Sequence, residues 1–179
     1  MAYDRSRQLR NITLIGIAFI LIGVIGLAAP ALATVAIEQF IAWLLLFAGV
    51  SGLTFAWHMR SEEGSAAHAL VAALTTALAL IFLFYPAAGM ATLTWLLVAL
   101  FVLEGVASVL FGLRLKGRSG GWLWMILSGA TALLVAFVIL AGWPATTTWI
   151  LGLLVGVNFL STGISLVLLS AAMRKGGPF

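Results

Sequence analysis

Glu104 stands alone in the run Leu100-Phe101-Val102-Leu103-Glu104-Gly105-Val106-Ala107-Ser108-Val109-Leu110, which is apolar on both sides of its carboxyl. Nothing else in the sequence reads as a charge so deep in a hydrophobic run. A charge at the centre of a membrane helix costs ~2.5–3.5 kcal/mol on insertion scales, which makes such a residue a functional-site hypothesis by default. Arg114 follows ten residues later. At about 1.5 Å per residue this puts Glu104 about 15 Å from a basic edge, near the middle of a ~30 Å hydrocarbon core. Desolvation at such depth disfavours an ionised carboxyl, and that suits Glu104 to sensing protons. The competing reading is a neutral structural carboxyl, hydrogen-bonded between helices.

Candidate partners share its depth. Ser108 lies one turn away on the same helix. Ser51, Thr162, Ser128, Thr131 and Thr75 lie at comparable distances from a cytoplasmic flank, and Asn158 lies one turn beyond Thr162. Ser51, Ser108, Asn158 and Thr162 are the core of a candidate polar layer, with interhelical hydrogen bonds of ~0.6 kcal/mol each. Each hydroxyl can instead bond the carbonyl one turn back on its own helix. Glu38 and Gln39 fall early in the second apolar run, near the opposite face. They read as interfacial residues facing water or, more sharply, as vestibule ligands for protons or cations. His58 and His68 flank a polar loop and read as solvated.

Other chemistry lacks residues. There is no cysteine, hence no disulfide, thiolate metal site or thiol nucleophile. No His or carboxylate pair has metal-ligand spacing. There is no Ser-His-Asp set at shared depth, no P-loop and no GxGxxG. The expectation is no metal, no cofactor and no enzymatic activity. Proton-coupled transporters use relays of intramembrane carboxylates and histidines, for which the acidic inventory is thin.

The elements that must position Glu104 are membrane spans. Hydrophobic residues make up 64% of the 179, and charged residues 8%, against about 25% charged in soluble domains. The solvent for most of this surface is lipid. Six apolar runs follow, at 11–29, 34–57, 66–85, 88–113, 121–142 and 146–173. Each is about twice the ~9–11 residues of a barrel strand and lacks in/out alternation, so all are expected to be helices, which satisfy their own backbone in lipid. The first run, with Arg5, Arg7 and Arg10 before it and Ala31-Leu32-Ala33 after it, resembles a signal peptide. Its length favours a retained span.

The cations sort to one side. Arg5, Arg7 and Arg10 precede span one, Arg60 follows span two, Arg114, Lys116 and Arg118 follow span four, and Arg174 and Lys175 follow span six. The positive-inside rule then places both termini and both polar loops in the cytoplasm. The same placement accounts for the net charge of +4 without nucleic acid. Tyr85, Trp143 and Trp149 mark the outer interface, and Trp57, Trp122 and Trp124 the inner one.

The chain repeats. Pro30-Ala31, Pro86-Ala87 and Pro144-Ala145 are outer turns, with prolines 56 and 58 residues apart. Each returning span carries a polar residue before glycine: Ser51-Gly52, Glu104-Gly105 and Thr162-Gly163. The expected organisation is all-α: a basic tail at 1–10, one six-helix transmembrane domain at 11–175 and a tail at 176–179. The domain comprises three parallel hairpin repeats, at about 11–60, 66–116 and 121–175. Two spans per unit preserve orientation, so any pseudo-symmetry axis runs along the membrane normal. Small residues at helical spacing predict helix packing: Gly152, Gly156 and Gly163 in the sixth span, Gly16, Gly23 and Gly26 in the first, and Ser128, Ala132 and Ala136 in the fifth, beside Gly52 and Gly105.

Three Pro-Ala turned hairpins, a small or acidic residue before glycine in each returning span and a basic end to each unit resemble the HdeD family of bacterial inner-membrane proteins, over about 11–175. The matching pieces are Pro30-Ala31, Pro86-Ala87, Pro144-Ala145 and Glu104-Gly105. The chain departs at Ser51 and Thr162, where the acidic residue is not repeated. The resemblance implies six membrane helices, a multi-pass protein of the bacterial inner membrane, and a role in acid or envelope stress. It supplies no catalytic residues and no transport substrate. The expected partners are the lipid bilayer and a homo-oligomer or larger membrane complex, with no nucleic acid. The rival functions are an accessory or assembly subunit of such a complex and, behind it, a small channel or transporter.

Overall fold

The computed structural model describes residues 2–62, 64–117 and 120–175. Glu63, Arg118 and the 176–179 tail lie outside the described residues. Six long helices account for the fold: α1 (Ala2–Ala28), α2 (Pro30–His58), α3 (Ser65–Phe84), α4 (Pro86–Leu115), α5 (Trp122–Ala141) and α6 (Ile150–Lys175). A 3-10 turn at Ala145–Thr148 precedes α6. All six helices are long and apolar enough to cross a membrane.

The prolines open helices as well as ending them. Pro30 and Pro86 are the first residues of α2 and α4. Proline fits the first turn, where its missing N–H is one that no helical carbonyl would have taken. The second and fourth helices therefore start earlier than the apolar runs at 34 and 88 indicate. The third turn differs. Trp143-Pro144 is a cis peptide, and the Thr146 hydroxyl donates to the Ile139 carbonyl at 2.9 Å, tying the 3-10 turn to the end of α5. The 3-10 turn occupies Ala145–Thr148, and α6 begins at Ile150 rather than at 146.

Burial follows the logic of a protein dissolved in lipid. Most buried positions are small, among them Ala42, Ala56, Ala72, Ala79, Ala132 and Ala136, with Gly16, Gly23, Gly89, Gly105, Gly129 and Gly156; Phe82, Val98, Ile139, Ile150 and Leu151 are the larger exceptions. Most large side chains face outward, including Leu32, Phe47, Phe84, Trp124 and Phe137. Lipid is as apolar as leucine, so burying leucine gains little, whereas small residues let backbones approach.

The helices form two compact units. In the first, α1 and α6 run antiparallel along a glycine seam. A Cβ on Gly23 would stand 2.5 Å from the Leu160 nitrogen, and one on Gly163 would stand 2.6 Å from the Gly16 carbonyl. Phe19 and Phe159 meet edge to face beside the seam, 5.0 Å apart. At one end Thr13 and Ser170 share a hydrogen bond of 2.8 Å. At the other, the Thr34 hydroxyl of α2 receives the Gly152 N–H at 2.9 Å.

In the second unit α2 packs on α3 and α4 packs on α5. Gly52 faces Ala72, and Gly49 faces Thr76. Gly105 faces Leu133 and the Gly129 carbonyl, and Gly112 faces Ile126 and the Trp122 carbonyl. The repeat thus has a consistent pairing rule. Gly52, Gly105 and Gly163 each seat the returning helix of one hairpin on the outgoing helix of the next, and the last returns to the first.

Candidate functional site

Glu104 is exposed on α4. It lines a groove of about 390 Å³ between α4 and α5, walled by Phe101, Trp124, Leu127, Ser128, Thr131, Ala132 and Val135. The cause lies in the adjacent glycine. Successive helical residues point about 100° apart. Gly105 is turned into the α4–α5 contact, so the residue before it is carried to the rim. Thr131 donates to the Leu127 carbonyl of its own helix at 2.8 Å. The carboxyl therefore sits among apolar walls with two hydroxyl residues, Ser128 and Thr131, on the facing helix.

The same groove recurs one repeat earlier. Between α2 and α3 a groove of about 440 Å³ is lined by Ala48, Gly52, Phe55, Ala67, His68, Val71, Ala72 and Thr75. His68, Val71, Ala72 and Thr75 stand 56 residues before Trp124, Leu127, Ser128 and Thr131. His68 meets Phe55 across this groove, with ring centroids 6.4 Å apart. The two grooves are walled at equivalent positions of successive repeats and differ in the group they offer, a carboxyl in one and an imidazole at the mouth of the other.

The residues proposed to join Glu104 in a polar layer differ in exposure. Ser51 and Asn158 are exposed, while Ser108 and Thr162 are half-buried. Ser51 donates to the carbonyls of Phe47 at 2.6 Å and Ala48 at 3.1 Å, both on its own helix. The glycine rule explains this too, since Ser51 and Thr162 precede glycines that take the inward direction. The packing glycines themselves sit in close contacts: Gly152 against Pro30 and Ala33, Gly156 against Gly26 and Leu27, and Gly163 against Gly16 and Ile20.

Glu38 departs most from its reading as a water-facing residue. It is fully buried, as are Thr34 and Thr94. Gln39 donates to its Oε2 at 3.0 Å, and its Oε1 is buried without a hydrogen-bond partner among the described residues. On α4 the carboxyl lies against Gly89, where a Cβ would collide with it. The signal was legible in spacing. Thr34, Glu38 and Ala42 recur every four residues on one face of α2, and the flanking pair is small, as packing faces in lipid are.

Around these carboxyls, no group of three or more His, Cys, Asp or Glu among the described residues is placed to hold a metal. At the basic ends, Arg60 lies over Trp57 at 5.5 Å, and Lys116 lies over Trp122 at 5.6 Å. These are interfacial cation–π pairs in which an aromatic ring and a cation share the membrane edge.

Fold and surface define a multi-pass membrane protein of repeated helical hairpins. The chain belongs to the family described as a short repeat of unknown function (DUF308), which matches residues 14–84 and again 70–141 and includes HdeD-like proteins. The two matches start 56 residues apart, the spacing of Pro30 and Pro86. No curated protein and no solved structure matches the chain.

Proposed function

We propose that this is an HdeD-like protein of the bacterial inner membrane, with both termini cytoplasmic, that serves acid or envelope stress through Glu104 rather than by catalysing a reaction. The observation that carries this reading is the exposed carboxyl of Glu104 in the apolar α4–α5 groove. A neutral acid rests against hydrocarbon far more cheaply than an ion does. Acidification therefore changes what that groove can touch, whether lipid or a neighbouring helix, without any relay of further carboxylates. The experiment is Glu104→Gln, compared with wild type at equal membrane abundance. Acid survival falls at least about tenfold if the titrating group is required. Unchanged survival rejects Glu104 as the sensor.

A second reading, an accessory subunit of a larger membrane complex, is favoured by the same groove, since a polar patch in lipid suits a partner helix. It loses its other support, because the glycine stripes are used within the chain. A stoichiometric partner that co-purifies in mild detergent, and is lost with Ser128→Leu, supports it over the first.

A further inference from the structure

The buried carboxyl of Glu38 has no part in the reading above. It sits eight residues into α2, about 12 Å along the helix from Pro30. Its Oε2 accepts from Gln39, and its Oε1 is enclosed without a partner among the described residues. On the facing helix the enclosure is made by Gly89, and a side chain there would displace the carboxyl. A buried ionised carboxylate with one of its oxygens unpaired is costly, and a neutral acid is far less so.

Among the described residues of α2, α3, α4 and α5, no counter-charge stands at this depth. Glu38 is the only Asp, Glu, Lys, Arg or His in α2 before His58 at its far end, and α4 has none between Pro86 and Glu104. Glu104 itself lies ten residues deeper, counted from the prolines, or about 15 Å along the helix direction. In α3 the one titratable group is His68, in its first turns at the opposite end, and α5 has none. Tyr85, at the start of α4, is exposed. One carboxyl with a single free oxygen is too few donors for a metal ion, but it suits a proton. The neighbouring repeat makes the same point. Thr94, 56 residues on from Glu38, is equally buried and satisfies its hydroxyl on the Met90 carbonyl at 2.8 Å. Where the second repeat has a self-satisfied hydroxyl, Glu38 places an ionisable group.

We propose that Glu38 is a proton-binding site: Oε1 holds a proton while α2 and α4 are packed at Gly89, and release of that proton to water at the nearby membrane face drives the two helices apart there. The inference stands independently of Glu104 and of any stress role.

Infrared spectroscopy of the purified protein in lipid tests it. Besides Glu38 and Glu104 the only side-chain carboxyls in the sequence are Asp4, Glu62 and Glu63, none of them in an apolar run, and carboxyls in water are ionised at about pH 7. In Glu104→Gln, a carboxylic-acid C=O stretch at about pH 7 must therefore come from Glu38. The expected result is that this band is present in Glu104→Gln and absent from the double variant Glu38→Gln/Glu104→Gln. Raising the pH should remove it, together with at least about tenfold faster amide exchange in the Pro30–Ala42 and Pro86–Val98 turns. The Glu104→Gln arm needs no substitution in the packed contact, so it reads out even if the double variant fails to fold. Absence of the band at neutral pH overturns the site. A band that survives every pH at which the protein stays folded, or that vanishes with unchanged exchange, overturns the coupling.

Discussion

The hydroxyl of Thr34 works in two directions. It donates to the Pro30 carbonyl at 2.9 Å and accepts the Gly152 N–H at 2.9 Å. Gly152 lies in the first turn of α6, whose N–H groups have no carbonyl within their own helix. Thr34, fully buried on another helix, thus caps α6 from outside. Thr34→Val keeps the shape and strands a buried donor, which costs about 1–3 kcal/mol. Thermal unfolding in detergent should show a midpoint lower by roughly 3–10 °C. Thr92→Val, which removes an exposed hydroxyl bonded to its own helix at 2.8 Å, should stay within about 1 °C. Equal effects would mean that the α6 cap contributes nothing. Glu104 and Glu38 show how far single residues are legible. Depth along the chain was readable for both, because prolines and basic residues mark the two membrane faces. Direction around the helix was not, because it depends on which neighbour is the glycine that packs. Glu104 comes out exposed beside Gly105, whereas Glu38 comes out buried on the Thr34–Ala42 face.

At the scale of helices, the periodicity of proline and glycine carried the element order and the repeat, and the matched family repeats at the same spacing. It did not carry the pairing. A hairpin in sequence suggests that its two helices are each other's closest neighbours, yet Gly52, Gly105 and Gly163 seat against the following hairpin's first helix. Lipid supplies no hydrophobic force to choose a partner, so backbone approach decides, and approach is a property of two faces at once. The α1–α6 seam is the sharpest case. A Cβ at Gly23 would meet the Leu160 nitrogen at 2.5 Å and the Gly156 carbonyl at 2.8 Å. Backbone atoms cannot swing aside as a flexible side chain does. Gly23→Val should cost about 1–3 kcal/mol or more, read as a lower unfolding midpoint and a protease-sensitive α1. Gly120→Ala, in the loop before α5 with nothing within 4 Å of its Cβ, is the matched control and should change neither. If Gly23→Val is as stable as wild type, the seam is looser than these contacts require.

For the molecule as a whole, the distribution of charge makes a claim that the fold alone does not. The apolar outer surface and buried small residues require a bilayer but are indifferent to which way the chain threads it. Orientation rests on the cations, which cluster with the polar loops and avoid the proline turns, so the cytoplasmic face should hold Arg60 and Lys116 with their stacked tryptophans. The absence of cysteine allows a direct measurement, because a single introduced thiol is the only one in the chain. Ser61→Cys and Gly120→Cys place it in the two loops, and Ala87→Cys and Thr148→Cys place it beside the second and third proline turns. All four positions are exposed. In intact cells stripped of their outer membrane, a membrane-impermeant maleimide should label Ala87→Cys and Thr148→Cys at once, and the loop pair only after lysis. The reversed pattern inverts the topology. It would also move Glu38 from a site that exchanges protons with the outer medium to one that reads cytoplasmic pH, because its depth is measured from the Pro30 face.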